Sequence, residues 1–466
     1  MDGAARVRTV VRRPFAAVGT LVGRSYGSLN SLRATAVAMA TSLLTVVTAI
    51  VAIGVLGGSA SAQTASARPA DPCGPAWVTA WQTSPQPGVA GALLAGRTLR
   101  MIATPQVTGS EMRVRLSNRY GRSPLVVSAV SAAGVDSGAA LAPGTSRPVY
   151  FGGSQGVTIP PGEDVASDPV PFVAEAGRPL AVSMFLPSAA DRVATHPVAM
   201  RTSYVSEPGS GIGAVDATDG SAFTTSVASW FVLSGVDVLA PRAENAVVLV
   251  GDSITDGVGS DLDRDDRWPD ALSERLVDAG GLRMSVINAG ISANQLLGGT
   301  PSQVGDTPAA RFDGDVLGAA GVRDVVLHIG TNDLAAGRSA DEVITGLVDF
   351  GARARGAGLR VFLTTITPST TSTHGTPQAV AAREAVNAWI RAQGPAHADG
   401  VFDFAAAVAD PAHPARLRPA YDSGDGLHLS PAGYRAMAAA VRTEGLTGSP
   451  CLADTDPARI TVSGGR

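Results

Sequence analysis

The stretch Asn245-Ala-Val-Val-Leu-Val-Gly-Asp-Ser-Ile-Thr-Asp-Gly257 constrains this chain more than any other. Its apolar run is short, β-branched and without alternation. That is the pattern of a strand in a parallel sheet covered on both faces. The run stops at Gly251-Asp252-Ser253. The hydroxyl of Ser253 is therefore expected at the carboxyl edge of a sheet, where open α/β folds bind their ligands.

Downstream of Glu244 the texture alternates between strand and helix. Strands are expected at 246–250, 284–288, 324–329, 359–365 and 400–404. Ser339-Ala-Asp-Glu342 is a capping-box pattern opening a helix to about Arg355. Thr376-Pro377 and Ser430-Pro431 each place a cap and an N1 proline before a helix. Such alternation predicts a doubly wound parallel sheet. Upstream, from Trp77 to about Ala240, the texture is β. Strand candidates at 112–116, 125–130, 156–159, 180–186 and 231–239 have no helices between them, which predicts an antiparallel sandwich or jelly-roll-like module.

Both ends carry further signals. Six arginines from Arg6 to Arg33 precede an uncharged apolar stretch, and Ala60-Ser-Ala62 fits a small-x-small cleavage site. This reads as an export signal over 1–62. An uncleaved anchor is the alternative, because the apolar stretch reaches the ~20 residues that span a bilayer. Residues 63–76 read as a linker, 77–240 as the β module, 241–450 as the α/β domain and 451–466 as a tail. Cys73 and Cys451 lie near the ends of the exported chain. In an oxidising compartment they would form one bridge, and otherwise two buried thiols. With no C-x-x-C or H-E-x-x-H pattern, neither a metal nor any other cofactor is implied. A net charge of −4 gives no electrostatic case for nucleic acid. All basic residues are Arg, so lysine chemistry is excluded.

A serine hydroxyl needs a base within hydrogen-bond reach, and the base needs an orienting partner. Asp425-Gly-Leu-His428, on a Gly-containing loop before the last helix, offers both. Alone this spacing says little. Two other strand ends strengthen it. The backbone N–H of Gly290 and the side-chain amide of Asn332 are the kinds of donor that hold an oxyanion. Asp252, Asp256 and Asp333 read as acceptors that fix turn backbone.

Taken in order, Gly251-Asp-Ser-Ile-Thr255, Gly290, Gly330-Thr-Asn-Asp333 and Asp425-x-x-His428 resemble the four blocks of the SGNH hydrolases, the GDSL esterase/lipase superfamily. Residues 245–445 share the resemblance. The first block has Ile254 in place of the family's leucine, and Ala293 stands where many relatives have glycine. The resemblance implies a flavodoxin-like α/β/α fold, ester hydrolysis and no metal. It implies Ser253 as nucleophile, His428 as base and Asp425 as its orienting partner. It further implies an oxyanion hole of the Ser253 and Gly290 N–H groups and the Asn332 amide. The run Arg113–Gly121 resembles the module that precedes the catalytic domain in secreted actinobacterial members.

The other histidines are read conservatively: His328 as a core residue, His374 as a loop residue near the substrate or in solvent, and His196, His397 and His413 as loop residues. Gly23-Arg-Ser-Tyr-Gly27 fits a nucleophile elbow but sits inside the basic leader. The expected partner is a small-molecule or polysaccharide ester, short-chain or O-acetyl, with carbohydrate contact through the β module left open. The alternatives are a lipase or acyltransferase with the same triad, and an inactive glycan-binding surface protein. The oligomeric state is not readable.

Overall fold

The computed structural model describes residues 71–278, 283–298, 304–449 and 451. The leader with its cleavage and anchor readings, the elbow-like Gly23–Gly27 run, most of the linker and the tail after Cys451 lie outside the described residues. Among the described residues, no helix is long and apolar enough to cross a membrane.

The β-rich part contains β1 (Ala76–Gln82), β2 (Met112–Ser117), β3 (Asp164–Ala166), β4 (Arg192–His196) and β5 (Leu233–Ala240). Four of them make an antiparallel sheet in the order β1-β5-β2-β3. β2 alternates buried apolar residues with half-buried arginines, as its one wet face requires. A larger antiparallel sheet is built on Arg97–Ala103, Leu180–Leu186 and Ala129–Ser137. β4 pairs with Gln86–Ala90 and Trp230–Phe231.

Two expected strands are each broken in two. The 125–130 run divides at Ser128 because Leu125–Val127 pairs with Val157–Ile159, while Ala129–Ser137 pairs with Leu180–Leu186. The 231–239 run divides at Val232, whose φ is +63°. There the chain leaves β4 and joins β2, and Val232 N–H donates to Ala194 O.

The α/β part has one parallel sheet of β6 (Asn245–Gly251), β7 (Met284–Gly290), β8 (Val322–His328), β9 (Arg360–Thr364) and β10 (Gly400–Phe402). Its order is β7-β6-β8-β9-β10. The helices are α1 (Ser253–Asp256), α2 (Trp268–Asp278), α3 (Thr331–Ala335), α4 (Ala340–Gly356), α5 (Pro377–Ala392) and α6 (Pro431–Ala440), with shorter turns between. The local signals act as expected. Ser339 and Glu342 close a capping box, and Thr376 and Ser430 cap α5 and α6 before their N1 prolines. α2 was not foreseen from the sequence.

The two parts share one hydrophobic core. Val78, Trp81 and Val236 of the antiparallel sheet belong to the same cluster as Val248, Ile287 and Val325 of the parallel one. Polar bonds stitch the seam: Thr79 N–H donates to Ala320 O at 3.1 Å, and Ser285 Oγ–H to Thr79 O at 2.5 Å. Cys73 and Cys451, 378 positions apart, are joined by a disulfide with Cα atoms 5.1 Å apart. A crosslink over so long a loop removes much unfolded-state entropy. Reducing it is expected to cost about 2–5 kcal/mol. Denaturant melts of wild type and Cys73→Ser, with and without reductant, check this, and the variant should not respond to reductant.

Candidate active site

The site is assembled by strand register. Gly251 pairs with Gly290 on one side and His328 on the other, so β6, β7 and β8 end level. The turn after β6 becomes α1. Asp252 caps it by accepting from Ile254 N–H at 3.1 Å. This leaves Ser253 at the first helical position with its side chain at the sheet edge.

Ser253 Oγ lies 2.8 Å from His428 Nε2, across 175 positions of sequence. His428 Nδ1 lies 2.6 Å from Asp425 Oδ2. The other oxygen of Asp425 accepts from the backbone N–H groups of Leu427 and His428 at 2.9 and 2.8 Å. Burial pushes the Asp425 carboxyl upward, but His428 and these N–H groups outweigh it and hold it below the usual carboxylate range. A carboxylate on Nδ1 requires a proton there, which leaves Nε2 free to accept from the serine hydroxyl. The next helix supports the arrangement: Tyr434 of α6 donates to Val258 O at 2.5 Å, tying the histidine loop to the serine turn.

The candidate donors differ in their state. No partner for Ser253 N–H is present among the described residues. Asn332, in α3, donates from Nδ2 to Asn294 O at 2.9 Å, which leaves its second N–H hydrogen. Its Oδ1 lies 3.1 Å from His374 Nε2. Gly290 N–H is already donated to Asn288 Oδ1 at 2.9 Å. Gly290 is nevertheless required here, because a Cβ would sit 2.3 Å from Asp256 N. Ala293 has φ +62°, a left-handed backbone that costs a non-glycine residue about 1–2 kcal/mol.

Of the flanking carboxylates only Asp252 fixes its own turn; the other two correct the expectation of local turn acceptors, because they accept from the 292–297 segment. Asp333 takes the N–H groups of Leu296 and Leu297, both at 2.9 Å. Asp256 Oδ2 takes both the N–H and the hydroxyl of Ser292, at 2.8 and 2.6 Å. Burial pushes the Asp252 carboxyl up to about 7.

Of the other histidines, His328 is a core residue. It bonds Thr364 Oγ1 at 2.7 Å, packs on Phe404 and is held neutral by burial, its pKa lowered to about 3. His374 is half-buried against Asn332, and burial lowers its pKa with help from nearby His428. His196 corrects the sequence expectation of a loop residue. It ends strand β4, is 3% exposed, and lies 2.8 Å from Asp256 Oδ1. The expectation failed because Pro197 read as a loop signal, whereas it simply ends the strand.

Arg311 is a second residue that the sequence did not reveal. Its buried guanidinium bonds Ala289 O at 2.8 Å and, more distantly, Gly251 O at 3.4 Å, the carbonyls at the ends of β7 and β6. It also meets Ser84 Oγ at 3.0 Å and Asp315 Oδ2 at 2.8 Å. Asp315 in turn accepts from Arg119 of the β-rich part at 2.7 Å. Burial opposes its charge, yet the two guanidiniums keep its pKa lowered. A cavity of about 450 Å³ lined by Gly134, Arg147, Phe172 and Arg178 belongs to the β-rich part and contains none of these residues.

Comparison with known proteins bears on the α/β part. Residues 249–436 match the GDSL-like Lipase/Acylhydrolase family. That domain is a GDSL-like hydrolase. The chain is accordingly a carboxylic ester hydrolase. Similar solved structures include the lipase/acylhydrolase from Enterococcus faecalis (22% identity, 44% of this chain and 98% of that one, TM-score 0.35). Others are Est24, a carbohydrate acetylesterase from Sinorhizobium meliloti (18%, 42% and 94%, 0.34), and a GDSL-like lipase from Bacteroides thetaiotaomicron (21%, 43% and 87%, 0.33). None of the curated proteins matches the chain.

The Asp252 shift has a consequence for stability. Its folded pKa lies above the ordinary value of 3.8, so the folded state binds the proton more tightly. Stability from this group is present below that ordinary value and is lost as pH rises through about 7. Asp252→Asn keeps a competent cap. It should flatten the decline in melting temperature between acid and neutral pH. An unchanged slope would show that Asp252 is ionised in the folded protein.

Proposed function

We propose that Ser253, His428 and Asp425 are the catalytic triad of a secreted serine esterase. The chain of contacts from Ser253 Oγ to His428 Nε2 and from His428 Nδ1 to Asp425 carries the reading. Ser253 Oγ attacks the ester carbonyl carbon and its proton passes to His428 Nε2. The imidazolium is stabilised by Asp425. The oxyanion is held by Ser253 N–H and the free N–H of Asn332. Gly290 N–H is a third donor, shared with Asn288 or released from it when the oxyanion forms. His428 returns its proton to the leaving alkoxide, which departs as an alcohol and leaves an acyl-serine. Water then attacks with His428 as base, and the carboxylic acid and free serine are restored.

A short acyl or carbohydrate-borne ester suits the surroundings. Gln295 and His374, which bond Asn332, and Thr370, which bonds Gly426 of the histidine loop, are polar. Acyl transfer to a sugar or lipid hydroxyl would use the same first half-reaction. Export is supported by the disulfide and by the leader in the sequence. We read 77–240 as an antiparallel sandwich module and 241–450 as a flavodoxin-like three-layer domain, the strand order β7-β6-β8-β9-β10 being of that type.

Ser253→Ala and His428→Ala should each lose on the order of 10⁶ in turnover on a simple acyl ester. Asn332→Ala should cost about 10²–10³. A fluorophosphonate should label Ser253 in the wild type. Near wild-type hydrolysis by Ser253→Ala would sink the proposal. A screen of acyl chain lengths and acetylated polysaccharides, with Ser253→Ala as the blank, tests the substrate class.

A further inference from the structure

A second Asp–His pair lies behind the serine turn, and its histidine comes from the β-rich part. Asp256 closes α1. One of its oxygens gathers the N–H and hydroxyl of Ser292, and the other faces His196 Nε2 at 2.8 Å. Asp256 thereby joins the turn that carries Ser253 to the segment between Gly290 and Asn294. That segment supplies one candidate oxyanion donor, Gly290, and the carbonyl that orients another, Asn294 O to Asn332. Asn288 adds a parallel tie, donating to Thr255 O at 2.8 Å.

The protonation of this pair follows from its partners. His196 Nδ1 lies 3.0 Å from Ser84 O, which can only accept, so Nδ1 carries a proton. Asp256 Oδ2 accepts twice from Ser292, which suits an ionised carboxylate. With Asp256 as a carboxylate, the remaining contact is N–H to carboxylate, which calls for a doubly protonated ring. Both side chains are almost fully buried, 4% and 2% exposed. Burial disfavours a charged imidazole, but Asp256 outweighs it and raises the His196 pKa. Nothing in the proton transfers assigned to His428 uses either group.

We propose that His196 is a positioning residue for ester hydrolysis. As the buried countercharge of Asp256, it holds the nucleophile turn and the oxyanion segment in register, so the α/β part depends on the β-rich part for a competent site. The proposal rests on the esterase reading above. Its role is alignment alone, since the ring is separated from Ser253 by Asp256 and α1. Small displacements matter at this place: a misplacement of about 1 Å can cost on the order of 10²-fold in rate.

The test uses the exported chain with its disulfide, and a short acyl ester such as p-nitrophenyl acetate. His196→Gln and Asp256→Asn should each lower kcat by about 10–100-fold with KM changed less than about twofold, and should slow fluorophosphonate labelling of Ser253 by the same factor. The double variant should be no slower than the worse single one, since both remove the same tie. Arg115→Gln is the stability control. It removes a bond from β2 to Gly318 O at the same seam, away from the serine, and should lower the melting temperature while leaving kcat unchanged. In the wild type, nitrogen NMR should find both ring nitrogens of His196 protonated at neutral pH. That measurement decides the matter even where a variant fails to fold. A neutral His196 ring overturns the proposal, as do folded variants with wild-type kcat. A wild type that neither hydrolyses esters nor labels overturns the esterase reading, and this inference with it. Normal wild-type labelling with equally fast variants overturns the inference alone.

Discussion

Three parallel strands end at one height because Gly251 is paired with Gly290 and with His328. The rest of the site depends on that register. A slip of one residue would turn each strand end to the opposite face. The turns leaving β6, β7 and β8 bring Ser253, the Gly290–Asn294 segment and Asn332 together without any of them being near the others in sequence. His428 reaches the same edge on a loop that is anchored at both sides, by its own Asp425 and by α6 through Tyr434.

The carboxyl edge is also where backbone groups run out of sheet partners, and buried ones must find others. Arg311 takes Gly251 O and Ala289 O on one guanidinium. That places a charge in the core, which Asp315 offsets, and Arg119 of the β-rich part completes the group. Asp256 has the converse problem and meets His196. Removing one partner of such a buried pair costs about 3–5 kcal/mol, because the other is left uncompensated. The α/β part is therefore not electrostatically self-contained. One of its buried charges, Asp256, is met across the seam, over a core the two parts already share.

What could be read early follows from locality. The capping box at Ser339 and the Thr376 and Ser430 caps act within a few residues, so their sequence patterns were sufficient. The apolar run of β6 is buried throughout from Ala246 to Val250, as its lack of alternation required. Ala293 is plain in the sequence, but its positive φ, which glycine would adopt without strain, is not. The strand break at Val232 was not visible. It reflects a change of partner strand, and the residues themselves keep the same β character on both sides.

The sequence by itself determined the chemical inventory: a serine after a buried strand, an Asp-x-x-His loop, an amide and a glycine at two other strand ends. It did so because each motif is short and sits at a recognisable boundary. Only the tertiary structure decided which groups meet. His196 and Asp256, 60 positions apart, carry no mutual signal in the chain. Nor do Arg311 and the carbonyls that it covers. Gly290 shows the same division: its glycine was legible, but the existing bond of its N–H to Asn288 was not. Burial sets which charges must be paired, and burial is a property of the packed molecule, summed over elements that the sequence keeps apart.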